Sequence, residues 1–171
     1  MSMARQAEIE RQTKETGIEL SLDLEGTESS AETGVGFFDH MLDLLARHAN
    51  IGLKVKAVGD LETGSHHTVE DVGIVFGQAL GQALGDRAGI RRYGSAVVPM
   101  DEACAECALD ISGRALSVFR GEIPVTSIAN YETELTEEFF RAVAGGAKMT
   151  LHVDIRYGSN VHHMIEAAFK A

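Results

Sequence analysis

The chain has 171 residues, of which 44% are hydrophobic and 24% are charged, and its formal net charge is -11. A chain of this length can bury a core and favours one domain or two small half-domains. The negative charge argues against a nucleic-acid partner, because phosphate-backbone binding needs a basic stripe. The sequence contains no apolar signal core and no run of membrane-spanning length, so we expect a cytoplasmic protein with no membrane partner.

The first half of the chain predicts two strands and two helices in alternation. Apolar and polar residues alternate over 17–26 and again over 51–60, which is typical of strands with one buried face. Between these strands, residues 37–49 carry apolar side chains at helical spacing. A second, longer helix is expected to begin at residue 66, with Ser65 available as its N-cap, and to end near Gly85 or Gly89.

The first predicted helix has an apolar side and a polar side. The apolar stripe comprises Phe37, Met41, Leu44 and Leu45, and the opposite side carries Asp39, His40, Asp43 and Arg47. His48 falls nearer the apolar stripe, so a packed histidine and an exposed one are both open.

The second half repeats this order of elements. Strands are predicted over 106–112, 116–122 and 150–158, and helices over 133–148 and from 162 onward. On the last strand, one face is expected to carry Leu151, Val153, Ile155 and Tyr157. The final helix stops at Ala171, whereas its counterpart continues for about four turns. We therefore expect that the C-terminal helix and tail are truncated here.

Shared landmarks predict an internal duplication. Phe37-Phe38 corresponds to Phe139-Phe140, and Leu53-x-Val55 corresponds to Leu151-x-Val153. We predict two half-domains, residues 1–93 and 94–171, with the seam near Gly94 to Pro99. Each half is expected to place two helices on one face of a small sheet, which is an α+β arrangement.

Four of the seven histidines lie in two copies of one pattern, His-His-x-x-Glu. The copies are His66, His67 and Glu70, and His162, His163 and Glu166, with starting positions 66 and 162 that lie 96 residues apart. Imidazole nitrogen and carboxylate oxygen are ligands that ions of the manganese-to-zinc series accept. A single copy is more often a hydrogen-bonded or surface pair, but the duplicated set predicts a duplicated metal site.

Helical geometry divides the ligands of each motif between different ions. His66 and Glu70 are four residues apart and share one helix face. His67 lies about 100° round the helix from His66, so the two cannot comfortably share one ion. Each motif therefore suits two metals, or a metal shared with another element. His40 is a plausible further ligand, and the role of His152 is open.

The two cysteines, Cys104 and Cys107, form a C-x-x-C pattern. A redox pair or a zinc site is one interpretation of that spacing. The flanking residues predict a strand, on which residues three apart point to opposite faces. We therefore favour two small packing or surface residues.

Seven segments carry a resemblance to a known family: GVGFFDHML, HHTVEDVGI, RRYG, PMDE, DISGR, TLHV and NVHHMIEAAFKA. In this order they resemble imidazoleglycerol-phosphate dehydratase, a hydro-lyase of histidine biosynthesis. That enzyme converts imidazole glycerol phosphate to imidazole acetol phosphate and water. The resemblance runs from about Arg5 to Ala171. It implies a sheet of about four strands in each half, and a homo-oligomer in which trimers assemble with manganese into a 24-mer. The active sites would lie between subunits, with two Mn²⁺ ions in each.

The resemblance also assigns roles to residues. The metal ligands that it implies are His40, His66, His67, Glu70, His162, His163 and Glu166. The substrate-binding residues that it implies are Glu15, Arg92, Arg114 and Lys170. Glu15 is also the candidate for catalytic proton transfer. We expect the reaction to pass through a metal-bound imidazolate of the substrate.

The chain departs from the family in two places. Glu138 occupies a position where many members have a histidine ligand, so that role is not carried over. The resemblance also implies a C-terminal tail that contains Ser and Lys and helps to bind phosphate, and we expect that this tail is missing from this sequence.

Two other functions fit a duplicated metal motif. A metal-dependent assembly protein would use the ions to join subunits without chemistry, but it would not need Arg92 and Arg114 near its metals. A metallohydrolase would activate a metal-bound water, but nothing in the sequence names its substrate. The dehydratase is therefore the interpretation that we favour.

Overall fold

Two four-stranded sheets and four helices make up most of the protein in a computed structural model that describes residues 5–171. The strands are β1 Gln6–Gln12, β2 Thr16–Asp23, β3 Ser29–Glu32, β4 Gly52–Gly59, β5 Tyr93–Met100, β6 Ala103–Asp110, β7 Leu116–Arg120, β8 Ser127–Ile128, β9 Tyr131–Glu132 and β10 Thr150–Tyr157. The helices are α1 Gly36–Ala49, α2 His66–Leu84, α3 Leu135–Ala147 and α4 Val161–Lys170, with a 3₁₀ turn at Leu61–Thr63.

The two sheets share one topology, which confirms the predicted α+β fold with duplicated half-domains. Their strand orders are β1-β2-β4-β3 and β5-β6-β10-β7. In each sheet the last pair is parallel and the other pairs are antiparallel, so both sheets are mixed. The boundary between residues 93 and 94 stays a prediction; the first strand of the second sheet begins at Tyr93.

The register of the central strands is also repeated. Leu22 of β2 pairs with Leu53 of β4, and Leu109 of β6 pairs with Leu151 of β10. Positions in β2 and β6 therefore correspond with an offset of 87, the difference between 109 and 22. This offset relates any residue in the first sheet's central strand to its counterpart in the second.

The helices of the two halves pack on each other. Helix α1 contacts α4, and α2 packs along α3. The α2–α3 contact brings two backbones together, because a Cβ built on Gly146 would lie 2.6 Å from the carbonyl oxygen of Ile74. The aromatic rings of Phe38 and Phe139 meet edge to face in the shared core, with centroids 5.3 Å apart. One continuous hydrophobic core therefore joins the halves.

In α1, Leu44 and Leu45 are half-buried and pack against the hydrophobic core, in agreement with their place in the apolar stripe. His48, whose burial the sequence left open, is exposed. One prediction, the place of Tyr157 on the apolar face of the last strand, was wrong. Tyr157 is exposed, because a bulge between Ile155 and Tyr157 shifts the end of β10.

Ser65 does occupy the N-cap position of α2, but its side chain does not cap the helix. Its hydroxyl group donates instead to the carboxylate of Glu132. Cys104 and Cys107 are both free and buried, in agreement with a packing role. Burial raises the pKa of the Cys107 thiol to about 11, which leaves it protonated at neutral pH. None of the helices in residues 5–171 is both long and apolar enough to cross a membrane.

Candidate metal centre

The contact between α1 and α4 brings together two histidines and a buried glutamate. The Oε2 atom of Glu166 lies 3.1 Å from Nε2 of His162 and 4.0 Å from Nε2 of His40. The ring of Phe37 packs edge-on against His162, with centroids 5.0 Å apart. The Asn160 side chain caps α4 by accepting from the backbone N–H groups of His162 and His163. The cap and the aromatic contact thus fix the start of the helix that carries two of these ligands.

This group has the composition and spacing of a metal site. Ligand atoms of His40, His162 and Glu166 all lie within 4.8 Å of one another. Ligand atoms at this spacing can converge on one ion at bond lengths of about 2.0–2.2 Å after small side-chain movements. In the part of the chain that the structure describes, this is the one such group of three or more ligands.

Glu166 is kept ionised inside the protein. Its Oε1 atom lies 2.5 Å from Nζ of Lys170, one turn further along α4. Burial alone would raise the pKa of Glu166, but the hydrogen bond and charge of Lys170, together with His162, lower it below the ordinary value. The carboxylate is therefore charged and ready to accept a cation.

The first motif, at the start of α2, is more open. His66 and Glu70 share a helix face, with Nε2 and Oε2 3.6 Å apart, and both side chains are substantially exposed. His67 points to a different partner, Asp60, whose carboxylate oxygens lie 3.0 and 3.1 Å from its Nδ1. The hydrogen bond to Asp60, aided by the charge of Glu15, raises the pKa of His67. Within one chain this motif offers only part of a ligand set.

His163 in the second motif is held in the same way. Its Nδ1 atom lies 2.7 Å from Oε2 of Glu102, in the turn between β5 and β6. The other oxygen of Glu102 accepts from the backbone N–H groups of Ser159 and Asn160. These bonds lower the pKa of Glu102 to about 2, the bond from His163 contributing most, and they raise the pKa of His163.

Neighbouring histidines diverge as helical geometry predicts. The rings of His66 and His67 are inclined at 73°, and those of His162 and His163 at 75°. Each motif therefore directs its two histidines to different partners.

The predicted substrate-binding residues fall into three places. Arg92 binds Asp110 through two nitrogens, at 2.6 and 3.1 Å, and Arg114 lies 3.8 Å from the same carboxylate. Lys170 lies beside Glu166, in the candidate metal site. Glu15 is exposed in the turn between β1 and β2.

The turn that carries Glu15 is tied to the first motif. The carbonyl oxygen of Glu15 accepts from the backbone N–H of Asp60 at 3.1 Å, and Asp60 in turn holds His67. Residues of the same hairpin anchor it on α2: Thr16 Oγ1 donates to Asp71 at 2.5 Å, and Arg11 pairs with the same carboxylate. The hairpin that carries Glu15 is thereby fixed to α2, the helix that bears the first motif.

Sequence reasoning missed Asp60 and Glu102, the two carboxylates that hold His67 and His163. Each lies directly at the end of a strand, and Glu102 belongs to the PMDE segment. An acidic residue at a strand end was the available signal, but pairing it with a distant histidine required the fold. Glu138 is bound to Arg141 of its own helix, with both oxygens 2.8 Å from Nη1.

The fold and the site define a class of protein: two duplicated α+β half-domains with a histidine–carboxylate centre that could hold a metal ion. The chain belongs to the imidazoleglycerol-phosphate dehydratase family, whose family model matches residues 33–171. The imidazoleglycerol-phosphate dehydratase of Acetivibrio thermocellus is 59% identical over 170 residues, which cover 99% of this chain and 87% of that protein. That of Streptococcus sanguinis is 59% identical over 98% of this chain and 87% of its own length.

A solved structure is similar as well. The crystal structure of imidazoleglycerol-phosphate dehydratase from Staphylococcus aureus superposes with a TM-score of 0.88 at 40% identity, over 97% of this chain and 92% of that one. These findings confirm the family resemblance, and the protein is an enzyme of the hydro-lyase class.

Proposed function

We propose that this protein is a cytoplasmic, manganese-dependent dehydratase of histidine biosynthesis that converts imidazole glycerol phosphate to imidazole acetol phosphate and water. The observation that carries the proposal is the cluster of His40, His162 and Glu166 in a chain of this family. Nitrogen and carboxylate ligands suit Mn²⁺, and the buried, ionised Glu166 supplies the negative charge that a divalent ion needs.

Two metal ions for each active site account for the full set of ligands. His40, His162 and Glu166 would contribute to one ion. Among residues 5–171 of one chain, His66, His67, Glu70 and His163 are not gathered into a group of three or more ligands. Ligands from a second subunit would complete them, which supports a homo-oligomer. The more specific proposal, trimers that assemble with metal into a 24-mer, is what the family resemblance implies.

The dehydration needs a proton to leave one carbon of the substrate while hydroxide leaves the next. When bound, the metal ions would act as Lewis acids toward the substrate imidazole and would orient its ring. We propose Glu15 as the group that accepts the carbon-bound proton. Its carboxylate is exposed, and its charge contributes to raising the pKa of His67 in the first motif. The enol that results becomes the ketone by tautomerisation.

The arginines suit the phosphate group of the substrate. Arg92 already forms a two-nitrogen contact with a carboxylate, and a phosphate presents its oxygens in a similar geometry. Arg114 lies 3.8 Å from the same carboxylate and would add a second cation. Lys170 would bind substrate from its position beside Glu166.

The test is turnover of imidazole glycerol phosphate by metal-stripped protein with and without Mn²⁺, measured together with sedimentation. Manganese-dependent product formation, with growth to a large particle, is the expected result. A particle that forms without product would favour the assembly protein over the dehydratase. Turnover that is equal with and without metal would contradict the manganese requirement.

A further inference from the structure

Glu15 and Glu102 occupy the same position in the two halves. The offset of 87 that relates Leu22 to Leu109 in the central strands also relates residue 15 to residue 102. Each glutamate is the last residue of the turn before its central strand, since β2 begins at Thr16 and β6 at Ala103. The chain thus carries one glutamate twice. Glu102 contacts His163, the second histidine of its motif, and the charge of Glu15 contributes to raising the pKa of His67.

The two glutamates nevertheless have different partners. Glu102 accepts from His163 and from two backbone N–H groups at the start of α4. In the first half the second histidine, His67, is held by Asp60 instead. Asp60 follows directly after β4, whereas the residues that follow β10, 158–160, are Gly-Ser-Asn and contain no carboxylate. Each half therefore has one carboxylate on Nδ1 of the histidine, supplied from a different loop. On the other side of the His163 ring, Oδ2 of Asp101 lies 3.7 Å from Nε2, beyond hydrogen-bond distance.

We propose that Glu102 is a positioning residue that holds the proton of His163 on Nδ1 and so leaves Nε2 free to bind a metal ion. In the first half, Asp60 has this role for His67. Glu15, the counterpart of Glu102, therefore has no histidine to hold and is available to the substrate. The inference rests on the proposed function, because it needs a metal ion at His163. A carboxylate that orients a metal-binding histidine in this way fixes both the ring and its tautomer.

The change Glu102→Gln separates the two tasks of Glu102. The Gln carbonyl oxygen can still accept from the N–H groups of Ser159 and Asn160, so the start of α4 keeps its partners. The Gln NH₂ group, however, would face Nδ1 of His163 as a donor. His163 would then accept at Nδ1 and carry its proton on Nε2, the nitrogen that the metal ion needs.

The experiment measures Mn²⁺ binding to the full protein by calorimetry and by the electron paramagnetic resonance signal of free Mn²⁺. For Glu102→Gln we expect one class of sites to weaken by about 10–100-fold, with circular dichroism unchanged. Glu102→Asp keeps an acceptor and should restore part of the affinity. Glu28→Gln is the matched control, because Glu28 forms an exposed ion pair with Lys54 and should leave binding unchanged.

Asp60→Asn provides a second variant in case Glu102→Gln does not fold. Among the described residues, the Asp60 side chain bonds only to His67 and Thr63. Asp60→Asn should weaken Mn²⁺ binding in the same way. Folded variants that bind Mn²⁺ as tightly as the wild type would overturn the inference while leaving the proposed function intact. A wild-type protein that does not bind Mn²⁺ would overturn the proposed function itself.

Discussion

The two His-His-x-x-Glu motifs share a backbone setting but differ in the helix that faces them. The second motif, on α4, meets His40 of α1 and forms a three-ligand group with a buried glutamate. The first motif, on α2, faces α3. The offset of 102 between Phe37 and Phe139 places Ala142 where α1 has His40.

Packing explains why the α2–α3 contact holds no corresponding ligand. A Cβ on Gly73 would lie 2.8 Å from the Cβ of Ala142, so the helices approach too closely for a histidine between them. The motif offset of 96 also places Ile74 where α4 has Lys170, so Glu70 lacks the cation that accompanies Glu166. A duplication can thus preserve strand register while one helix contact becomes a site and the other becomes core.

The largest expected effect is on turnover, and it comes from Glu15, the first-half counterpart of Glu102. Glu15→Gln should lower turnover by about 10²–10⁴-fold and leave Mn²⁺ affinity unchanged, because it removes a proton acceptor but no metal contact. Steady-state kinetics and Mn²⁺ titration would measure both effects. Turnover retained by Glu15→Gln would remove Glu15 from the mechanism.

Glu166→Gln should weaken Mn²⁺ binding by more than about 100-fold, because it removes a charged ligand of the three-ligand group. In metal-free protein it should also lower the free energy of unfolding by about 1–3 kcal/mol, since Lys170 and His162 lose a buried acceptor. Glu70→Gln is the control: its exposed side chain predicts a change within about 0.5 kcal/mol in metal-free protein. If urea unfolding showed that Glu166→Gln and Glu70→Gln lower the free energy of unfolding equally, the described difference between the two motifs would be wrong.

The close contact of α2 and α3 can be tested at two adjacent glycines. Gly146→Ala should lower the free energy of unfolding by about 1–3 kcal/mol, because the new methyl group would meet the backbone of α2. Gly145→Ala has open space around the new Cβ and should raise stability by about 0.5–1 kcal/mol, as expected for alanine inside a helix. Thermal unfolding of both variants would measure the difference, and equal values would contradict the close approach.

The smallest expected effect is the pH dependence of the metal-free protein. The carboxylates of Asp60 and Glu102 raise the pKa of His67 and of His163 above the ordinary value of 6.5. The stabilisation from these pairs is complete below pH 6.5 and is lost as the pH rises through the raised pKa values. Mn²⁺ affinity should rise over the same interval, because the ion displaces these protons.

Urea unfolding and Mn²⁺ titration at about pH 6 and about pH 8 would measure both trends. Asp60→Asn should remove the contribution of His67 to the pH dependence of the free energy of unfolding. Glu102→Gln should remove the contribution of His163. A metal-free stability that does not fall over this interval would contradict the role of these pairs.

Much of the fold followed from periodicity, and the strands that were missed had weak patterns. Strand β3 consists of Ser-Ser-Ala-Glu and is placed by parallel pairing with β4 rather than by an apolar face. Strand β5 contains Gly94 and Pro99, which indicated a seam, yet an edge strand tolerates proline because one side of its backbone is unpaired. Local patterns do not contain such pairing between distant segments.

The candidate site, like the fold, was predictable in its local features but not in its contacts between distant segments. The repeated motif identified the histidines and glutamates directly, and helical spacing predicted that adjacent histidines would diverge. The choice of His40 over His48 or His152 as a neighbour of His162 depended on which helix packs on α4. The pairing of Glu102 with His163 spans 61 residues and could come only from the fold.

The exchange of helix partners between halves has a consequence for how the protein unfolds. Each sheet carries helices that pack both on that sheet and on helices of the other half, α1 on α4 and α2 on α3. If one half unfolded, the two helices of the other half would lose their packing partners and expose apolar side chains to water. Because both halves share one core, unfolding either half is opposed by this hydrophobic cost. The two repeats are thus a single cooperative folding unit, and their denaturation should follow one transition rather than two.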